Sequence, residues 1–229
     1  MTQRLPEPPD PLPDLTDDHV VVVPPGTPLM RWHDLGGDHP RAHDEPRYFG
    51  PLAHKGRFDH HPTPTADHEP HHGVSYVALD PPRADGPARG LTSPDTLDVV
   101  CCEVVQDGDV IVVTPGDTLT VLRTSGSLRL LNVRGPWAQL TRAGTHLSTA
   151  PHQQTQRWAR AIRAAYPHLH GLLYVPPTGG RSCAAALNES AVRLLSGPVD
   201  LSRRIVDDEM LDILDAVAHR LGFAIELVR

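Results

Sequence analysis

The chain has 229 residues, a formal net charge of −7 and only 4% aromatic residues. Its core must therefore come from Val, Leu, Ile and Ala, and its acidic balance argues against a general nucleic-acid binder, whose phosphate contacts need a basic excess. No apolar stretch is long enough to span a membrane, and Met1-Thr-Gln-Arg leads into prolines rather than a signal-peptide core, so a cytoplasmic protein without membrane contact is expected. The length suits one ordinary domain plus a tail. The three cysteines, Cys101, Cys102 and Cys183, offer neither a disulfide framework nor zinc-ligand spacing, and are read as small buried apolar residues.

Residues 1–28 hold eight prolines and several acids, which predicts a solvated, disordered tail with polyproline character ahead of a domain over 29–229. Within it, "HVVVVPPG" reads as a short strand closed by Pro24-Pro25. Residues 29–73 carry nine of the fifteen histidines among Asp, Gly and Pro, and predict mainly loops around "PLMRWHD" and "RYFG". The run "DHEPHH" lacks the HExxH spacing and contains Pro70, so the stretch 59–73 reads as a solvated His-rich loop with no metal.

Farther on, "GVSYVALD" predicts a strand, and the apolar run "LDVVCCEVVQ" predicts a strand buried on both faces. "DVIVVTP" and "LRLLNVRG" follow as strands with turn-rich links. "HQQTQRWARAIRAAY" has helical spacing, with Trp158, Ile162 and Tyr166 at i, i+4 and i+8. "GLLYVPP" predicts a buried strand and "SCAAALNESAVRLL" a helix, before which "PPTGG" offers a weak anion cradle. "DDEMLDILDAVAHRL" predicts a helix with acids in its first turn, and "FAIELV" a closing strand. Strands and helices mix without strict alternation, which predicts an α+β fold. GxGxxG, P-loop and GxSxG motifs are absent from the sequence.

Taken in order, "PLMRWHD", "GRFD", "GVSYVALDP", "LRLLNVRG", "TQRWARAIRAA" and "GLLYVPPTGGRSCAAALNESA" resemble the RES family, named for an Arg, a Glu and a Ser. The resemblance covers roughly residues 28–229. It implies an ADP-ribosyltransferase-like fold of twisted sheets with flanking helices. It also implies a toxin of a bacterial toxin–antitoxin pair that attacks NAD at the nicotinamide–ribose bond, with an antitoxin-like protein as partner.

That chemistry builds positive charge on the ribose, as in glycoside hydrolysis, and so calls for a carboxylate beneath it. An arginine fork matches the pyrophosphate. By resemblance, Arg57 is the family arginine, Phe58 the aromatic residue that holds nicotinamide, and Tyr76 the strand tyrosine, with Arg31 facing the cleft. The family glutamate position falls at Pro87 and the serine position at Pro176. Asp85 and Ser182 are the nearest substitutes. The expectation is weakened catalysis, with a non-catalytic module that binds NAD, ADP-ribose or a partner as the alternative.

Overall fold

The computed structural model describes residues 5–34, 56–61, 73–80, 94–105, 109–144, 146–176 and 182–228. In chain order its elements are β1 (Val20–Val23), β2 (Pro28–Asp34), β3 (Val74–Leu79), α1 (Pro94–Val104), β4 (Val110–Val113), β5 (Asp117–Arg123), β6 (Leu128–Asn132), α2 (Pro136–Leu140), α3 (His146–Thr149), α4 (His152–Ala165), β7 (Gly171–Tyr174), β8 (Cys183–Asn188), β9 (Val199–Arg204), α5 (Asp208–Leu221) and β10 (Ala224–Leu227). Short 3-10 turns occupy Asp17–His19 and Glu189–Leu195.

The fold is mixed α+β. Among the described residues, eight strands form one sheet in the order β1-β6-β7-β8-β3-β2-β5-β9, antiparallel throughout except for β6 beside β7. β4 and β10 form a separate parallel pair. The strand period of two divides the side chains between two cores. Cys183, Ala185 and Leu187 of β8 face one core with Leu29, Val77 and Leu122. Ala184 and Ala186 face the other, which holds the buried sides of α1, α2, α4 and α5. β2 meets β3 at Met30 opposite Ala78, and β2 continues along β5 from Pro28↔Arg123 to Asp34↔Asp117.

Four elements differ from the sequence expectation. "LDVVCCEVVQ" is not a strand but the body of α1. Its continuous apolar run fits a helix buried on most sides as well as a buried strand, and periodicity alone does not separate the two. Pro94 at the first position and Asp95 in the first turn suit a helix start. Arg220 of α5 grips Asp98 of α1 with two guanidinium nitrogens and ties the helices together. "CAAALN" is strand β8, although its alanines favour helix, because it pairs with both β3 and β7 in mid-sheet. Small side chains suit this crowded position: a Cβ on Gly171 of β7 (φ +152) would strike the backbone of Ala186 and Leu187. "PLMRWHD", expected only as a short apolar piece among loops, is strand β2, and "DTLTVLR" is strand β5 where only links were expected.

The N-terminal segment also differs. Leu5 is 3% exposed, and Leu12 and Leu15 pack on the helical core. The indole Nε1 of Trp158 donates to the Pro6 carbonyl (2.8 Å), the Tyr166 hydroxyl donates to the Pro13 carbonyl (2.6 Å), and Arg157 pairs with Glu7 (2.9 Å). Proline richness lowers the entropy lost on ordering, since φ is already fixed, and three leucines supply anchors. Residues 5–15 are thus a docked strap and not a solvated tail.

Candidate functional site

"GRFD" forms a turn over Gly56–Asp59 whose shape comes from its own aspartate. Asp59 Oδ2 accepts from the Gly56 amide (2.6 Å), and Asp59 Oδ1 accepts from the Tyr76 hydroxyl (3.0 Å). That hydroxyl in turn accepts from the Phe58 amide (2.8 Å). Gly56 is needed here because a Cβ would lie 2.6 Å from the ring carbons of Tyr76. Helix α4 grips the other side of the turn. Thr155 Oγ1 donates to the Arg57 carbonyl (2.6 Å), and Gln156 Nε2 donates to the Gly56 carbonyl (2.8 Å). The Arg57 guanidinium itself donates to the Ala150 carbonyl just before α4 (2.5 Å). One donor of the fork is thereby used to orient the rest.

Arg57 opens onto a cavity of about 580 Å³. Its walls come from Met30, Arg31 and Trp32 of β2, Tyr76 to Ala78 of β3, Gly56 and Arg57 of the turn, His152 of α4, and the last turn of α1 with the residue after it. The volume is that of a small-molecule site. Three expected residues, Arg31, Arg57 and Tyr76, therefore share one wall system. Burial pushes the Arg31 guanidinium down to about 10, which leaves it cationic at neutral pH. Burial, then the Asp59 charge, pushes the Tyr76 phenol well above its ordinary value, so it stays a neutral donor.

Among the described residues, the carboxylate that lines this cavity is Glu103, which no sequence motif marks. It was hidden inside the run read as a strand. As a helix, "TLDVVCCEVV" puts Val99 and Glu103 at i and i+4, and the second of its two acids, set among apolar residues, was the available signal. The Tyr174 hydroxyl of β7 donates to Glu103 Oε2. Burial raises the Glu103 carboxyl above its ordinary value, opposed by the Tyr174 hydrogen bond and by the positive charge of Arg57. The Tyr174 phenol is pushed well up by burial and by Glu103, and remains protonated.

The other expected residues lie elsewhere. Phe58 points into the core (2% exposed), with its ring edge-on to Tyr174 at 4.7 Å, so it supports the site from beneath and is not a cavity wall. Trp32 is instead the aromatic residue that lines the cavity beside Tyr76, and its indole Nε1 is fixed by Asp117 (2.7 Å). Ser182 is buried away from the cavity walls. Its hydroxyl donates to Asp80 Oδ1 (2.5 Å), which also accepts from Thr96 (3.2 Å), and this joins the end of β3 and the starts of α1 and β8. Asp85 and Pro87 lie outside the described residues, as does most of the His-rich run. The residues after "PPTGG" that were expected to open a helix form strand β8 instead, and most of "PPTGG" itself lies outside the described residues. Among the described residues no group of three or more His, Cys, Asp or Glu stands together as a metal site. No helix among them is long and apolar enough to cross a membrane.

No protein-family model matches the chain, and no curated protein matches it. Among solved structures it is similar to a chain of the M. tuberculosis MbcT-MbcA toxin-antitoxin complex, with a TM-score of 0.47 and 12% sequence identity over 84% of this chain and 91% of that one.

Proposed function

We propose that this chain is a RES-type toxin that takes NAD into the cavity of Arg31, Arg57, Tyr76 and Glu103 and breaks the nicotinamide–ribose bond. The observation that supports the reading most is Glu103: a half-buried carboxylate shares one cavity with the two arginines that the motif resemblance singled out. In this reading the guanidinium groups hold the pyrophosphate. The C1′–N bond breaks with its electron pair leaving on nicotinamide. Glu103, ionised, lies near the ribose carbon and stabilises the developing cation. Water, phosphate or a protein nucleophile then bonds to C1′ and gives up its proton where it carries one. Tyr174 orients the carboxylate and Tyr76 holds the Arg57 turn. An antitoxin-like protein that restrains the activity belongs to the same proposal.

A second reading keeps NAD or ADP-ribose binding without turnover. It is favoured by Ser182, whose hydroxyl is committed to Asp80 and cannot orient the ribose from there. Release of free nicotinamide from NAD by the purified chain separates the two. Binding without release selects the second reading, and absence of both binding and release rejects both.

A further inference from the structure

The N-terminal strap is held in the manner of a bound peptide. Trp137, Trp158 and Tyr166 form one aromatic group across α2 and the end of α4, with Trp137 edge-on to Trp158 at 6.0 Å and to Tyr166 at 6.4 Å. With the strap in place Trp158 is 1% exposed and Tyr166 is 6% exposed. The polar tips of two of these rings reach the carbonyls of two prolines, Pro6 and Pro13, and Trp137 Nε1 donates to the Tyr166 hydroxyl (3.2 Å), which directs its proton to Pro13. Apolar anchoring comes from Leu5, Leu12 and Leu15, and one ion pair, Glu7 with Arg157, sits at the exposed rim. Indole and phenol donors aimed at proline carbonyls from an aromatic face are the chemistry by which proline-rich segments are recognised between molecules. Prolines suit it because little entropy remains to be lost.

We propose that the Trp137–Trp158–Tyr166 face is a docking site for leucine–proline segments, which residues 5–15 occupy as a releasable intramolecular ligand. The site is independent of the NAD reading. A tethered ligand acts at a millimolar effective concentration, so a free peptide competes only when the tethered one is weakened. The same helix α4 grips the Arg57 turn through Thr155 and Gln156.

The test uses the full chain carrying Leu5→Asp and Leu12→Asp, titrated with a synthetic peptide of residues 5–15 and followed by tryptophan fluorescence. Saturable binding is expected, lost when Trp158→Phe is added and absent for the same peptide with its leucines replaced by serine. No saturable binding to the folded variant at about 1 mM peptide, or equal binding of the serine peptide, overturns the proposal. Hydrogen exchange of the unaltered chain decides the matter if the double variant does not fold. The indole Nε1–H of Trp158, which the Pro6 carbonyl covers, is expected to exchange at least about a hundredfold faster than the amides of α4, through local release of the strap. Exchange of both only together, by global unfolding, would make the strap part of the core and refute a releasable ligand.

Discussion

The Tyr174 hydroxyl donates to the Glu103 carboxylate, so one oxygen of this half-buried acid is committed to a fixed partner and its orientation in the cleft is set. Burial raises the Glu103 pKa and this hydrogen bond opposes the rise. Tyr174→Phe keeps the ring against Phe58 but removes the donor, so the pKa moves higher still. If Glu103 acts ionised, the acid limb of NAD consumption shifts to higher pH in this variant, by about one unit for a bond worth about 1.4 kcal/mol. A pH–rate profile unchanged by Tyr174→Phe would detach Tyr174 from the carboxylate's function.

The same acid carries a stability cost. Its folded-state pKa lies above the unfolded value, so its favourable contribution is complete below the unfolded pKa and is lost as pH rises through the folded one. Near neutral pH the ionised form of this half-buried carboxyl therefore costs the fold stability. Glu103→Gln should raise the thermal midpoint at pH 7.5, and the gain should shrink toward pH 4. A midpoint lowered at both pH values would show that the carboxylate holds the fold rather than straining it.

Arg57 should dominate affinity for an anionic ligand. Arg57→Ala is expected to weaken binding of NAD or ADP-ribose by about 1.5–3 kcal/mol, the range for hydrogen bonds to charged groups. Arg57→Lys should recover only part of this, since lysine cannot present a fork. Gly56→Ala should also weaken binding, because the new methyl displaces the turn from Tyr76. Calorimetric titration checks all three, and equal affinities throughout would remove the turn from the site.

Deleting residues 1–15 should lower the thermal midpoint by about 5–10 °C. The loss exposes apolar surface at Trp158 and Tyr166 and frees two hydrogen-bonding side chains, roughly 2–3 kcal/mol in all, and about 2–4 °C accompanies each kcal/mol at this chain length. An unchanged midpoint would restore the picture of a solvated tail that the proline content suggested.

What the sequence showed, and what it concealed, divides along physical lines. Alternating or amphipathic segments were legible: β3, β6, β7, α4, α5 and β10 stand where periodicity placed them. Arg31, Arg57 and Tyr76, which the motif resemblance singled out together, line one cavity. Glu103 was not legible, since a helix buried on most sides loses its polar stripe and its acid reads as an interruption in a strand. Nor was β8, whose alanines follow mid-sheet packing rather than propensity. β5 had a usable signal, Thr118 and Thr120 alternating with Leu119 and Val121, that lay between two turn-rich links. The strap was misread because composition reports the entropy a segment retains, not the aromatic face waiting for its leucines.

The most direct test of the account is NAD consumption by the unaltered chain beside Glu103→Gln, with ADP-ribose affinity measured on both. The account predicts release of nicotinamide by the unaltered chain, a fall of about 10²–10³ in rate for Glu103→Gln, and ADP-ribose affinity nearly unchanged, since the carboxylate acts on charge that exists only in the transition state. NAD left intact by the unaltered chain, or consumed equally fast by Glu103→Gln, would contradict it.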